Sequence, residues 1–367
     1  MPGGVKINTH RRVRARRSAR RTLIAIAIVI SIAATLLSYN LTRKSEAATT
    51  LPSGFSIRQT PSGQAAWTLT DIEYTPDGGY FTTGKAGHVA WVSPTGDVVP
   101  VADLDVQTDV DLGLTGISVA PDYATSRNVF VVRTTSTGKL RASEFHVEGT
   151  TTPTGFGPEK IVLEADRRSE AHAISGVIAA PDGTLWISVG DNSDFRQMDP
   201  TSLIVQDPNV IYGKLLHVTP DGNGVPTNPK YSAAAPASWP SRTYATGFRS
   251  PFRMSLDPVS GAPMVGDVGW FTWEEVNLVQ AGGNYGWPCW EGDGMTVAFD
   301  QMAECQKGYE HNKPLYTYNH NGQGSSVTGG VVYTGSGYPA QYRGLYFFGD
   351  YSQQWIKTMQ LRDANGG

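Results

Sequence analysis

A lone histidine and an aspartate bracket the stretch Ala171–Asp191, AHAISGVIAAPDGTLWISVGD, and Asn192 follows directly. Imidazole exchanges protons near neutral pH, so His172 is the residue type that a proton-abstraction step requires. A carboxylate and an amide on the same rim, Asp191 and Asn192, could hold a polar ligand beside it. The elements that must carry these groups are legible around them. Val177–Ala180 and Leu185–Val189 are apolar runs of strand length, with Pro181-Asp182-Gly183 between them. Proline presets φ and glycine supplies φ > 0, so the segment reads as a β-hairpin, with His172 at its entry and Asp191 at its exit. Polar groups at one end of a β-scaffold mark a pore mouth or a sheet edge.

The same grammar recurs along the chain. Leu69–Tyr74, Tyr80–Thr83, His88–Val92 and Val98–Val101 form one set around Thr75-Pro76-Asp77-Gly78. Gly113–Val119, Val129–Val132 and Leu140–Val147 form a second around Ala120-Pro121-Asp122-Tyr123. The hairpin at 177–189 opens a third, completed by Lys214–Val218. Phe252–Leu256, Ala262–Gly266 and Val276–Val279 make a fourth, and Gly330–Tyr333, Leu345–Phe348 and Trp355–Leu361 a fifth. The turn prolines at 76, 121, 181, 258 and 339 are 45, 60, 77 and 81 residues apart. Repeats of about 40–50 residues with four short strands each are the pattern of propeller blades. The longer spacings place insertions at Arg196–Arg242 and Trp287–Lys313. After the N-terminal segment no helical pattern of 12 or more residues appears, which argues against Rossmann and α/β-barrel folds, and no GxGxxG, phosphate loop or GxSxG elbow is present.

Charge excludes some partners. Ten of the 30 Lys/Arg but only one of the 33 acids lie in residues 1–47, leaving 20 bases against 32 acids, about −12, in the remainder. A body of that sign is not a nucleic-acid binder, and cations suit it better. The basic start, Arg11–Arg21, precedes an uncharged apolar run, Thr22–Leu37, and Ser45-Glu46-Ala47. Sixteen apolar residues fall short of the roughly 20 needed to span a bilayer but suit an export signal. Residues 1–47 therefore read as a signal peptide or, if uncleaved, an N-terminal membrane anchor, and 48–367 as the exported domain. Cys289 and Cys305 are the two cysteines; in an oxidising compartment they favour a disulfide over two buried thiols.

Four linked motifs then carry a family likeness: Tyr244-Ala245-Thr246-Gly247-Phe248-Arg249-Ser250-Pro251-Phe252-Arg253, Gly266-Asp267-Val268-Gly269, Trp273-Glu274-Glu275-Val276-Asn277 and Gly282-Gly283-Asn284-Tyr285-Gly286-Trp287-Pro288. Together with GLTGISVAPDYA at 113–124 and Gly329-Gly330, they resemble the glucose/sorbosone dehydrogenases over about residues 53–361. The resemblance implies an all-β, six-bladed propeller. Five blades are readable here, and the last is expected to lack its residues within this sequence. It also implies pyrroloquinoline quinone (PQQ) on the top face with a calcium ion beside it, and a second, structural calcium. By position His172 falls on the catalytic base. Arg249 falls on the arginine that contacts quinone and substrate, where a guanidinium can stabilise developing oxyanion charge. Ser250, Asp191, Asn192 and Asp111 fall on the cofactor and substrate rim. Gly269 and Trp270 match carbonyl ligands of the cofactor calcium, and Glu275 with the Tyr285 carbonyl match the structural one.

The chain departs from the family pattern at Ser250, where an asparagine is expected, and at Ile174-Ser175, where a glycine pair is expected. Thr334 and Gln353 stand where the quinone enzymes place a lysine and an arginine, so weaker binding of the tricarboxylate is expected. Two readings stay open. One is an exported dehydrogenase that oxidises an aldose or polyol and passes electrons to an external acceptor. The other is a calcium-stabilised propeller that binds a glycan or a protein without redox chemistry.

Overall fold

The computed structural model describes residues 51–61, 68–308 and 310–362. Residues 1–47, read above as a signal peptide or membrane anchor, lie outside them. Among the described residues the strands form five main antiparallel sheets, each from one continuous stretch, and one separate two-stranded hairpin. Blade 1 holds β1 (Leu69–Tyr74), β2 (Tyr80–Gly84), β3 (His88–Val92) and β4 (Val98–Asp103). Blade 2 holds β5 (Leu114–Val119), β6 (Asn128–Thr134) and β7 (Lys139–Glu148), edged by β8 (Gly155–Phe156) and β9 (Lys160–Asp166). Blade 3 holds β10 (Ile174–Ala179), β11 (Leu185–Val189), β12 (Lys214–Val218) and β13 (Thr243–Thr246). Blade 4 holds β14 (Pro251–Leu256), β15 (Pro263–Asp267) and β16 (Trp273–Leu278); an insert with the small hairpin β17 (Trp290–Glu291) and β18 (Gly294–Met295) precedes its outer strand, β19 (Tyr316–Asn319). Blade 5 has three strands, β20 (Val327–Val332), β21 (Leu345–Asp350) and β22 (Trp355–Gln360). The hairpin turns form as expected, with Gly78 N–H on Thr75 O at 3.0 Å and Gly183 N–H on Ala180 O at 2.9 Å. The outer strands β9, β13 and β19 lacked a clear alternation in the sequence. β13 and β19 follow the insertions, and all three are recruited by pairing rather than by pattern.

The innermost strands β1, β5, β10, β14 and β20 stand side by side in that order, as in a propeller. Each junction between blades is filled by one apolar cluster. Phe81 and Trp91 meet Ile117 and Phe145, and Phe130 and Leu140 meet Ile174 and Leu216. Trp186 and Leu215 meet Val265 and Tyr285, and Met264 and Val276 meet Tyr346 and Phe348. Sheets with both faces buried between neighbours explain why the middle strands read as unbroken apolar runs instead of alternating ones.

Each of the five inner strands breaks register at the same place, between its first and third residue. The residues skipped are Thr70, Thr115, Ser175, Phe252 and Thr328, and all five line one central cavity. A bulge bends its strand and re-aims a side chain. Repeated five times, it opens the mouth of the propeller and presents one side chain per blade to it. Cys289 and Cys305 are joined, with Cα atoms 5.2 Å apart, and sit beneath this end of the fold among Val205, Trp287 and Phe299.

Candidate functional site

The central cavity has a volume of about 660 Å³. His172 stands on its wall in the turn before β10, with φ +49, a left-handed conformation that costs a non-glycine residue of order 1–3 kcal/mol. The surroundings hold it there. Its Nδ1 lies 2.7 Å from Asp191 Oδ1, and its N–H donates to Asp111 Oδ2 at 3.1 Å. Asn192 N–H donates to His172 O at 3.2 Å. A Cβ on Gly190 would lie 2.4 Å from His172 O and 2.8 Å from Arg249 O, so only glycine lets these three segments meet. With Nδ1–H donating to a carboxylate, Nε2 keeps the lone pair a base needs.

Asp191 completes the arrangement from behind. It is 1% exposed, and its other oxygen accepts the Trp287 Nε1–H at 2.7 Å, while Ser193 N–H donates to Oδ1 at 3.0 Å. Burial alone would raise this carboxyl. The His172 ring, the charge of Arg249 and the Ser193 N–H outweigh burial and hold it below the ordinary carboxylate range. Asn192 is fully buried. It bonds Arg168 N–H, Ser169 and Ala171 O, and so fixes the turn that delivers His172.

Arg249 enters the wall from the start of blade 4. Its Nη1 donates to Val268 O at 2.9 Å and Gly269 O at 2.7 Å, and its guanidinium lies 5.4 Å from the centre of the Trp287 ring. Asp267 anchors the backbone below it, accepting Arg249 N–H at 3.0 Å and Ser250 N–H at 2.6 Å. Of the residues singled out in the sequence, His172, Arg249, Ser250, Asp111 and Gly269 share the cavity wall. Trp270 lines an adjoining crevice with His172 and Asp191. Asp191 and Asn192 sit behind the wall as supports. Thr334 is not on the wall, and Gln353 braces it from outside through Ser325.

Glu275 and Tyr285 belong to a second region, under the loop from β15 to β16. Asp267, Glu274, Glu275 and Glu291 are all buried there. Burial, with Glu291 and Glu274 adding to it, pushes Glu275 up to about 7 despite bonds from Asn277 and Gly292. Burial and the charge of Glu275 push Asp267 well up too. Glu274 is raised by burial although His320 Nε2 lies 2.7 Å away. Glu291 Oε2 and Asn277 Oδ1 are buried without a hydrogen-bond partner. Among the described residues no three His, Cys, Asp or Glu side chains converge as a metal cage, so a cation here would need carbonyl oxygens as well. The hard-oxygen donors and orphaned acceptors fit calcium better than a soft metal.

The family profile described as glucose/sorbosone dehydrogenase matches residues 64–366. The chain belongs to this family. The HIPL1 protein of Arabidopsis thaliana is 29% identical over 222 residues, 54% of this chain and 31% of that protein. The aldose sugar dehydrogenase YliI of Escherichia coli is 28% identical over 235 residues, 59% of this chain and 58% of its own length. The matches thus span less than two thirds of these relatives. Among solved structures, the PQQ-bound form of an aldose sugar dehydrogenase from Streptomyces coelicolor superposes with a TM-score of 0.67 at 21% identity, covering 84% of this chain and 81% of the other.

Set against the family pattern, the sequence reading missed two cations on the cavity wall. Lys85, at the end of β2, donates to Val110 O at 2.5 Å. Arg253 donates through Nη1 to Ser175 O at 2.9 Å and through Nη2 to Thr70 O, joining blades 3, 4 and 1. Arg253 lay inside a quoted motif, but nothing in the sequence placed Lys85. Trp287 was also missed in its role as a donor to Asp191.

Proposed function

We propose that the chain is an exported, PQQ- and calcium-dependent oxidoreductase that oxidises an aldose or related polyol at a carbon bearing a hydroxyl. The observation that supports this most is the His172–Asp191 pair on the wall of a cavity shared with Arg249. Nε2 of His172 takes the proton of the C1 hydroxyl, and Asp191 stabilises the imidazolium that results. Arg249 stabilises negative charge developing on the sugar oxygen. A bound quinone supplies the two-electron acceptor for the hydride leaving C1, and the product of an aldose is its lactone. The cavity suits such a group in size. Its three cations, Lys85, Arg249 and Arg253, suit a tricarboxylate even though Thr334 supplies none. Ser250, Asp111 and the Gly269 and Trp270 carbonyls complete the binding set, and Glu275 with the Tyr285 carbonyl would hold a structural calcium.

The ring itself we take to be six-bladed. Leu69, Ile72 and Tyr74 on β1, and Val331 and Ile356 in blade 5, are exposed apolar residues of the kind that the other blade junctions bury. A further blade between these faces would cover them and reach the cavity. Residues 1–47 would direct export, and the electrons would pass to an external acceptor.

The deciding experiment is a screen of aldoses and polyols with saturating PQQ, calcium and a dye acceptor, run on wild type and His172→Ala. Wild type is expected to turn over and the variant to lose about 10²–10⁴-fold while still binding the quinone. A folded wild type with no turnover and no bound-quinone absorbance would sink the dehydrogenase reading and leave the binding propeller.

A further inference from the structure

The mouth of the cavity carries aromatic rings that the proposed reaction does not use. Phe195 lines the wall with its ring 6.2 Å from that of His172, and it is 38% exposed. Its carbonyl accepts the Trp270 Nε1–H at 3.1 Å. Trp270 in turn lies 4.2 Å from Phe271, ring centre to ring centre, and Phe271 is 61% exposed. Phe195 and Trp270 line one crevice with His172, and Phe271 lies against Trp270, so the three residues form a shelf leading outward from the base.

The shelf is rigid. One oxygen of the buried Glu291 accepts the backbone N–H groups of Trp270, Phe271, Thr272 and Trp273, at 2.7, 2.9, 2.9 and 3.2 Å. A carboxylate that gathers four successive N–H groups fixes the loop, so Phe271 is held out to solvent rather than left loose. From beneath, Phe299 packs edge-on against Trp270 at 5.4 Å. The outer side is polar: the Arg196 guanidinium lies 5.1 Å from the Phe195 ring centre, with nitrogens 3.5 Å from Glu170 and Asp194 oxygens.

Flat aromatic faces beside exposed, planar hydrogen-bonding groups match one chemistry well. A pyranose ring offers an apolar C–H face on one side and hydroxyls around its edge. We propose that Phe195, Trp270 and Phe271 form a subsite for a second pyranose ring, so that the preferred substrate is the reducing end of a neutral oligosaccharide rather than a free monosaccharide. The occupant follows from continuity, because the shelf starts against the ring of His172, where the sugar to be oxidised must lie. The inference rests on the sugar-oxidising reading. Binding at a distance from the reacting carbon is also how an enzyme anchors a substrate it oxidises at one end.

Two measurements separate the inference from that reading. The first titrates borohydride-reduced maltose, maltotriose and cellotriose, which cannot be oxidised at an aldehyde carbon, onto the full chain while following tryptophan fluorescence. The apparent Kd is expected to tighten about tenfold from the one intact pyranose ring of reduced maltose to the two of reduced maltotriose and cellotriose, and Phe271→Ala to remove that dependence while keeping its melting temperature. The second compares KM for glucose, maltose and maltotriose with PQQ and calcium present. The trisaccharide-to-glucose KM ratio is expected near one tenth in wild type and near one in Phe271→Ala. Length-dependent binding without turnover would uphold the subsite and count against the oxidation. Turnover with no dependence on length would overturn the subsite and leave the oxidation standing. A fluorescence change that tracks protein concentration instead of sugar would mean the shelf is covered by a second copy, and would also overturn it.

Discussion

Asp191 and Glu275 are both buried acids, yet they sit in opposite electrostatic settings. Asp191 has a complete set of partners made by the chain: the His172 ring, the Trp287 indole and the Ser193 N–H, with Arg249 close by. Its carboxyl is pulled down. Glu275 has an amide and one N–H for partners, and three further carboxylates around it. Its carboxyl is pushed up. A protein can bury acids cheaply only where a cation accompanies them. The first region is finished by its own side chains and can serve as a proton device. The second has no such partners among the described residues, and the calcium proposed above would supply the missing positive charge.

The sharpest way to break that contrast is Asp191→Asn. The amide leaves the packing nearly unchanged but no longer favours the Nδ1–H tautomer, so Nε2 loses its lone pair for part of the population. A fall in kcat of about 10²–10⁴ is expected, with KM little altered. Ring-nitrogen chemical shifts of His172 should report the changed tautomer. Full turnover in this variant would reduce the pair to a packing contact.

Next in size is the ion itself. A ligand at a hundred times its Kd stabilises the native state by about 2.7 kcal/mol. For a chain of this length that corresponds to roughly 3–4 °C in melting temperature. Chelation should therefore lower the wild-type midpoint by that order and move Glu275→Gln far less. Equal shifts in the two proteins would place the calcium elsewhere or nowhere.

The contrast also explains what could be read from the sequence. The hairpin at 177–189 was legible because local chemistry dictates it: an apolar run, a proline-glycine turn and a second run. The pairing of His172 with Asp191 was half legible, since both residues lie at one end of that hairpin, yet Asp191 read as a rim residue and not as the partner behind the base. The Trp287 contact joins residues 96 positions apart and depends on how an insert of blade 4 folds under blade 3. No local rule reports that. Strands β13 and β19 were invisible for a similar reason, because an outer edge is chosen by its neighbour and needs little apolar pattern of its own. Glu291 was missed because its function lies in accepting backbone N–H groups, a role that any buried acid could fill.

The smallest expected effect tests the principle away from any site. Glu73, on β1, projects between blades 1 and 2, where its carboxylate accepts the Ser118 hydroxyl at 3.1 Å and the Val119 N–H at 3.3 Å. Burial is the main influence, partly countered by the Val119 N–H and then reinforced by the charge of Asp71, and together they push it up to about 7 from 4.5. Because the folded value lies above the unfolded one, the protonated form is the one the fold favours. Its contribution is fully present below pH 4.5 and is lost as pH rises through 7. Wild type should thus lose stability between pH 5 and 8 relative to Glu73→Gln, on the order of 1–2 kcal/mol after allowance for partial solvation. Glutamine keeps an acceptor for both bonds and carries no charge, so its profile should be flatter. Urea midpoints at the two pH values, with calcium saturating throughout so that Glu275 stays ion-bound, give the comparison. If the two proteins change in parallel, Glu73 ionises at no cost. Burial without a cation would then not be what separates the two acidic regions.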